Sequence, residues 1–557
     1  MADIVILNGA LITFDEAQPE AEALALAGGK ITAVGSNAEI NALTGPDTKI
    51  IDARGGTVLP GFIDSHVHLF GGSVELDCLN LYGVEGLDAM RKAILPYAAA
   101  NPDERLVFCV MADYDILGTG RTLTRHDLDS VLRDRPLALF APDHHTIWAN
   151  TAALEATGLL QGGEVDAGSE IVMGDDGLAN GELLEPGAYS PILELTRHGG
   201  REMLGLTTGK DPHPLATPEQ RQMDKDVIAR GLAHCAAQGI TGLHLMDGNR
   251  YQLELLTELE AEGRLLCRCH VPFHVKGTDP VERIETEAPA LRDDYQGELV
   301  KLSHVKMFID GVIESGTALM LRPYPGELGA DDNMGDEVFT QAHFADCIKE
   351  ADRLGFQIAV HAIGDAAVRR TIDAFAAAQE ANGTRDSRHR IEHIEVIHLD
   401  DIPRMRELGI VASLQPGHAP MGHIFPPGAV SQYLHDDQIP GAYAWQTMRE
   451  AGVPVVFSTD WPVIQVDVMD TVKAAVAPLN MGAGWTDQTQ SLHDTLASYT
   501  RDNAWVEFNE AVKGRLKPGM VADVVVMSHD LASLPPEQIT KAQASNTIMN
   551  GRVTFER

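Results

Sequence analysis

Short apolar runs alternate along this chain with longer stretches of helical period. The runs at 62–67, 106–111, 137–142, 239–245, 267–273, 303–309, 356–361, 390–394, 410–415 and 454–459 are too short for helices and read as strands. The run at 62–67, opened by Pro60-Gly61, reads as a strand of a buried parallel sheet. Helical periodicity lies between the runs, clearly at 339–354 and 365–381. Repeated β–α alternation predicts a parallel sheet. A (β/α)8 TIM-like barrel with insertions fits best. The candidate strands outnumber eight, so the sequence does not say which ones build the barrel. Residues 112–135 and 157–225 are rich in Gly, Asp and Pro and lack clear strands. They are expected to be inserted loops covering the barrel mouth.

The two ends resemble each other in kind. Ile4-Val5-Ile6-Leu7, Asn8-Gly9 and Ala10-Leu11-Ile12-Thr13 read as β-runs around a turn, as do Ala23–Ala27, Gly28-Gly29 and Lys30–Gly35. At the other end, Val524–Met527 and Thr547–Val553 behave likewise. The expected organisation is a small β-sandwich built from residues 1–57 and 508–557, flanking a barrel at 58–507.

Composition narrows the function classes. The chain has 557 residues, 44% of them hydrophobic, which suffices for a large core. Lys plus Arg number 43 against 81 Asp plus Glu, a formal net charge of −38. Nucleic acid and anionic membranes are therefore poor partners, and a small-molecule substrate is expected. No basic stretch followed by an apolar run opens the chain, and no segment approaches the ~20 apolar residues of a membrane span. The six cysteines form no Cys-x-x-Cys pair and sit in apolar segments, as free thiols of a reducing compartment do. A soluble cytoplasmic protein is expected; a homodimer is left open.

The chemistry begins at Gly61-Phe62-Ile63-Asp64-Ser65-His66-Val67-His68. Side chains alternate along a strand, so His66 and His68 face the same way and make half a metal site. Barrel active sites lie at the C-terminal ends of strands. Collecting polar residues there adds Lys306, His361, His393 and Asp460. Four histidines, a lysine and an aspartate match a two-metal hydrolytic site, and imidazole and carboxylate both suit zinc. A buried Lys306 would be pushed toward the neutral amine, which can add CO2 to become a metal-bridging carbamate. The structural alternative is a lysine paired with Asp310. Asp460 could bind one metal and serve as general base and then acid; the alternative is a helix cap.

The ordered set Pro60–His68, Val305-Lys306, His361-Ala362-Ile363-Gly364-Asp365, Glu392-His393 and Ser458-Thr459-Asp460-Trp461-Pro462 resembles the amidohydrolase superfamily. More narrowly, it is similar to the amidohydrolase-3 branch that includes N-substituted formamide deformylases. His145–Asn150, Gly181–Glu185, Ser413–His418 and Gly519–Asp523 carry the resemblance further. It implies a barrel with a composite β-sandwich and metal-dependent hydrolysis at carbon, with one or two divalent ions, zinc among them. His66, His68 and Asp460 would bind the more buried metal. Lys306 would bridge as a carbamate, and His361 and His393 would hold the second metal. His145 would face the substrate and stabilise an oxyanion. Two departures stand out: Asp310-Gly311-Val312-Ile313-Glu314-Ser315 replaces the common Asp-Gly-Ser, and Asp143-His144 stands where Asp-Gly is usual.

The expected activity is hydrolysis of an amide-type C–N bond by a metal-activated hydroxide, with Asp460 shuttling the proton. Two rivals differ in kind. A mononuclear deaminase would use one metal, with Asp365 assisting; a non-catalytic metal-binding protein would turn over nothing. Specificity is expected from loops 70–80, 112–135, 157–225, 311–330 and 417–440. Phe70, Tyr114, Tyr189, Tyr324 and Trp461 there suggest room for an apolar substrate part.

Overall fold

The computed structural model describes all residues except 119, 167, 421–431 and 479–480. Part of the 417–440 loop thus lies outside the described residues.

Eight parallel strands form one curved sheet: β1 (Phe62–Val67), β2 (Ile240–Leu245), β3 (Arg268–Val275), β4 (Val300–Phe308), β5 (Gln357–Ala362), β6 (Arg390–His393), β7 (Val411–Leu414) and β8 (Val455–Phe457). They pair in chain order. The seam between β8 and β1 is closed by a parallel bridge between Val67 and Trp461. β1, β2, β5 and β6 are buried at every position, so even their polar residues, Asp64 and His66 on β1 and Arg390, Glu392 and His393 on β6, lie inside. Gly61 admits β2 beside β1: a Cβ there would meet the Thr241 side chain at 2.3 Å.

Helices link successive strands. In Gln341–Arg353, Phe344, Cys347, Ile348 and Ala351 fall on one buried stripe, the spacing that packs a helix on a barrel wall. Thr340 caps its first turn, accepting from the His343 N–H at 3.4 Å. The helices expected at 339–354 and 365–381 are Gln341–Arg353 and Asp365–Asn382.

Two expected strands belong elsewhere. Val107–Val110 and Leu137–Phe140 join Leu79–Asn80, Thr146–Ala149, Ala179–Leu184 and Glu170–Met173 in a separate six-stranded mixed sheet. It is inserted between β1 and β2 and has its own apolar core, with Phe140, Ile147, Leu183 and Tyr189. Removing those two from the ten candidates leaves the eight barrel strands. The expectation of strandless loops also fails. The 112–135 segment holds helix Arg125–Val131, and 157–225 holds two strands and most of the first half of helix Pro218–Ala237. Gly181 lies inside Ala179–Leu184. In the fold Gly181 sits at φ 115°, against the Arg125 backbone.

The termini supply two further sheets. Ile4–Leu7, Ala23–Ala27, Lys30–Gly35 and Lys49–Asp52 form one; Ala10–Ile12, Glu20–Ala21, Thr57–Pro60, Val524–Met527, Ala544–Met549 and Arg552–Glu556 form the other. Ile4, Ile6, Leu24 and Leu26 of the first share a core with Val58, Val524, Val526 and Ile548 of the second. Arg268 on β3 grips Asp523 with Nε at 2.6 Å and Nη2 at 3.2 Å, binding the terminal sheet to the barrel. Among the described residues, no helix is long and apolar enough to cross a membrane.

Candidate metal centre

The site assembles at the β1–β8 seam. Asp64 on β1 accepts from the Thr459 N–H at 3.0 Å and the Thr459 hydroxyl at 2.6 Å. The Asp460 N–H donates to the His66 carbonyl at 2.9 Å, and His68 N–H to the Trp461 carbonyl at 2.8 Å. So held, Asp460 takes a left-handed backbone (φ 61°), a strained conformation of the kind that collects at functional sites. Its Oδ1 then lies 3.2 Å from both His66 Nε2 and His68 Nε2.

A second group meets the other oxygen. His393, also left-handed (φ 73°), places Nδ1 3.9 Å from Asp460 Oδ2, and His418 places Nε2 3.7 Å from it. Asp460 thus belongs to two triads of converging donors, with His66 and His68 and with His393 and His418. The His361 ring packs 4.5 Å from the His393 ring, and its Nε2–H donates to the Gly311 carbonyl at 3.1 Å. His361 therefore joins the cluster by its ring, though outside both triads.

Lys306 is wholly buried on β4, and its Nζ has no hydrogen-bond partner. It stands 4.4 Å over the Phe308 ring. Asp310, the partner that a structural lysine would need, instead accepts three backbone N–H groups, from Leu319, Ile363 and Gly364. Burial pulls the Lys306 ammonium down to about 8, against the opposing pull of Glu392 and Asp460.

His66 Nε2, His393 Nδ1, His418 Nε2, Asp460 Oδ1 and Lys306 Nζ are all buried without a partner. Each such atom costs about 1–3 kcal/mol. The two triads that meet at Asp460, with nitrogen and oxygen donors only, fit a divalent metal of the zinc type. The electrostatics agree. Burial opposes charge on His68, yet Asp247 and Asp460 raise it to about 9. Burial would also raise Asp460, yet His66, His68 and His418 hold it well below the usual carboxylate range. The carboxylates here call for a cation.

Carboxylates orient the histidines from behind. Glu392 Oε2 accepts from His66 Nδ1 at 2.8 Å, leaving Nε2 toward Asp460. Asp247 stands 3.4 Å from His68 Nδ1 and is itself fixed by Gln252 at 2.8 Å. The sequence reading missed Asp247, and Glu392 and His418 appeared there only within motifs. The available signal was position: Asp247 and His418 follow barrel strands, and Glu392 stands next to the last residue of one.

The inserted sheet delivers His145 at the turn between Leu137–Phe140 and Thr146–Ala149. Both Glu185 oxygens stand 2.9 Å from His145 Nδ1, and this carboxylate overcomes burial to raise the imidazole to about 9. His145 and Glu185 line a cavity of about 230 Å³ together with His68, His361, His393 and Asp460. Its apolar wall includes Tyr189, Phe308 and Phe339. Of the aromatic residues expected there, only Tyr189 lines it. Tyr114 instead hydrogen-bonds Asp143 at 2.9 Å, and Phe70, Tyr324 and Trp461 pack in the core. Asp365 is also spent elsewhere, accepting from the Leu321 N–H at 2.8 Å and from Gln438 at 2.9 Å.

Barrel and donor set together define a metal-dependent hydrolase. A model of the amidohydrolase family matches residues 49–555, and the chain belongs to that family. N-substituted formamide deformylase of Arthrobacter pascens is 24% identical over 567 residues, covering 100% of this chain and 99% of that protein. Protein LONG AFTER FAR-RED 3 of Arabidopsis thaliana is 26% identical over 544 residues, 95% of this chain and 87% of that one. An uncharacterized metal-dependent hydrolase from Pyrococcus horikoshii OT3 has the same fold, with a TM-score of 0.71 at 24% identity, covering 96% of this chain and 99% of that one.

Proposed function

We propose that this amidohydrolase cleaves an amide-type C–N bond of a small molecule. The observation that carries the reading is Asp460, shared by two sets of buried, converging donors at one end of the cavity. His66, His68 and Asp460 would hold one ion. His361, His393 and Lys306 would hold a second, with His418 beside them, and Lys306 would bridge as a carbamate. Carbamate formation joins Nζ of the neutral amine to the carbon of CO2 and releases one proton. Zinc is the ion the donors suit best. What such ions supply is acidification of water, from a pKa of 15.7 to about 7, and polarisation of a carbonyl.

The chain's own residues do the rest. Asp460 accepts the proton of the attacking water and returns it to the departing nitrogen. His145, kept protonated by Glu185, donates to the oxyanion that develops on the carbonyl oxygen. Tyr189, Phe308 and Phe339 shield the reacting carbon from bulk water and accept an apolar substituent. The formamide deformylase likeness makes N-formyl amines the first substrates to try.

The test is hydrolysis of a panel of N-formyl and N-acetyl amines, N-acyl amino acids, cyclic amides and esters. The enzyme is zinc-loaded with bicarbonate present, and Asp460→Asn is the control. Turnover of an amide class, lost in the variant, supports the proposal; inertness toward every amide, with deaminase substrates turned over and one ion bound per chain, overturns it.

A further inference from the structure

Deeper in the barrel lies a third group of candidate ligands: His244 on β2, His270 on β3 and Glu507, with ligand atoms all within 4.8 Å of one another. Its surroundings argue against a metal. Lys513 Nζ stands 2.5 Å from Glu507 Oε1. Arg390 Nη1 donates to His244 Nδ1 at 2.8 Å. With Nδ1 accepting, His244 carries its proton on Nε2 and donates it to Glu507 Oε2 at 2.8 Å. A dication here would face an ammonium and a guanidinium at hydrogen-bond range.

The group is instead the foot of a chain of contacts. Arg390 is completely buried on β6. Its Nε and Nη2 reach Glu392 Oε1 at 2.8 and 2.7 Å, and Nη2 also donates to the Ser65 carbonyl at 3.0 Å. Glu392 Oε2 meets His66 Nδ1. Lys513, Glu507, His244, Arg390, Glu392 and His66 therefore run in line through the barrel interior, each touching the next. Arg390 lies midway, with contacts on both the carboxylate and the backbone that flank His66.

We propose that Arg390 is a positioning residue for His66. By gripping Oε1 of Glu392 through Nε and Nη2, it fixes the carboxylate so that Oε2 faces His66 Nδ1 as an acceptor. Such an acceptor holds the His66 proton on Nδ1 and turns Nε2 toward Asp460. Without that grip the carboxylate is free to turn away from Nδ1 and no longer holds the imidazole in one tautomer. Its consequence for metal affinity rests on the reading of His66 as a ligand; its consequence for the tautomer does not.

The full-length chain tests it with Arg390→Met, Glu392→Leu, Glu392→Gln and His66→Asn. In metal-free protein labelled with ¹⁵N-histidine, the His66 ring nitrogens report the tautomer. Wild type and Glu392→Gln, whose carbonyl still accepts, should show a single Nδ1–H form; Arg390→Met and Glu392→Leu should show a mixture. Zinc affinity by chelator competition should fall about 10- to 100-fold in those two and be largely rescued in Glu392→Gln. An unchanged tautomer in a folded Arg390→Met would overturn the proposal, whatever Glu392→Leu shows. Should Arg390→Met fail to fold, identical tautomers in the Leu and Gln variants of Glu392 would overturn it equally. Unchanged zinc affinity in His66→Asn would instead overturn the ligand reading, leaving the tautomer result to stand or fall by itself.

Discussion

Asp64 on the first barrel strand accepts two hydrogen bonds from Thr459 just past the last one, at 3.0 and 2.6 Å. This pair sets the backbone of the next residue, Asp460, so that one carboxylate faces donors from the end of β1, from the end of β6 and from the segment after β7. Replacing Asp460 by Asn keeps the shape and removes the base. We expect kcat to fall by roughly 10²–10⁴-fold with KM changing little. Steady-state kinetics on the best panel substrate, with zinc content measured in parallel, separates lost proton transfer from lost metal.

Lys306 gives a spectroscopic prediction. Its unpartnered, buried amine should react with ¹³C-bicarbonate-derived CO2 in the zinc-loaded protein, giving a carbamate ¹³C resonance absent from Lys306→Met. Activity of enzyme stripped of CO2 should recover on adding bicarbonate. A protein fully active without CO2 and silent in the ¹³C spectrum would leave Lys306 a plain lysine.

Glu185 holds His145 through both of its oxygens, at 2.9 Å each. Glu185→Gln should weaken the oxyanion contact and lower kcat by about 10²–10³-fold, the range seen when one such donor is lost. Substrate binding should suffer less, so the change should appear mainly in kcat.

Arg268 and Asp523 form a two-pronged buried pair between β3 and the terminal sheet. Arg268→Met strands the carboxylate and should destabilise the chain by about 3 kcal/mol in urea unfolding. Adding Asp523→Asn should restore part of the loss, because the Asn550 N–H that donates to Asp523 Oδ1 at 2.7 Å keeps an acceptor.

Asp352 supplies an acid-dependent prediction. Burial favours its protonated form, but hydrogen bonds from His389 and Asn382 and the charges of His389 and Arg385 win, lowering it to about 2. A depressed carboxylate stabilises the fold above its unfolded pKa of roughly 4 and stops doing so as pH falls through the folded value. The stability gap between wild type and Asp352→Asn should therefore be full above pH 4 and close toward pH 2. Solvent screening keeps it near 1 kcal/mol. Unfolding curves across that window check it.

Much of the fold was legible because most barrel strands carry short apolar stretches between segments of helical period, and that alternation is detectable in sequence. Val107–Val110 and Leu137–Phe140 misled for the same reason: they are equally apolar, but pair within the inserted sheet, and pairing partners leave no local mark. At the site, His66, His68, Lys306, His393 and Asp460 stood out as polar residues ending apolar runs. Glu392 and Arg390 did not, because a buried ion pair inside a strand looks in sequence like two residues facing solvent. Glu185 was visible only within a motif, since its tie to His145 depends on how two segments of the inserted sheet fold against each other.

The bridge between Val67 and Trp461 that closes the barrel lies within two residues of His66, His68 and Asp460. Closing the ring and gathering the donors are thus a single event, joining Val67 to Trp461, 394 residues further along the chain. A nascent or partly unfolded molecule carries His66 and His68 but not their carboxylate, and so offers an ion only a weak hold. On the proposed reading of these residues as ligands, tight capture becomes a checkpoint for completed folding: a chain that has not joined its first strand to its last lacks a complete site.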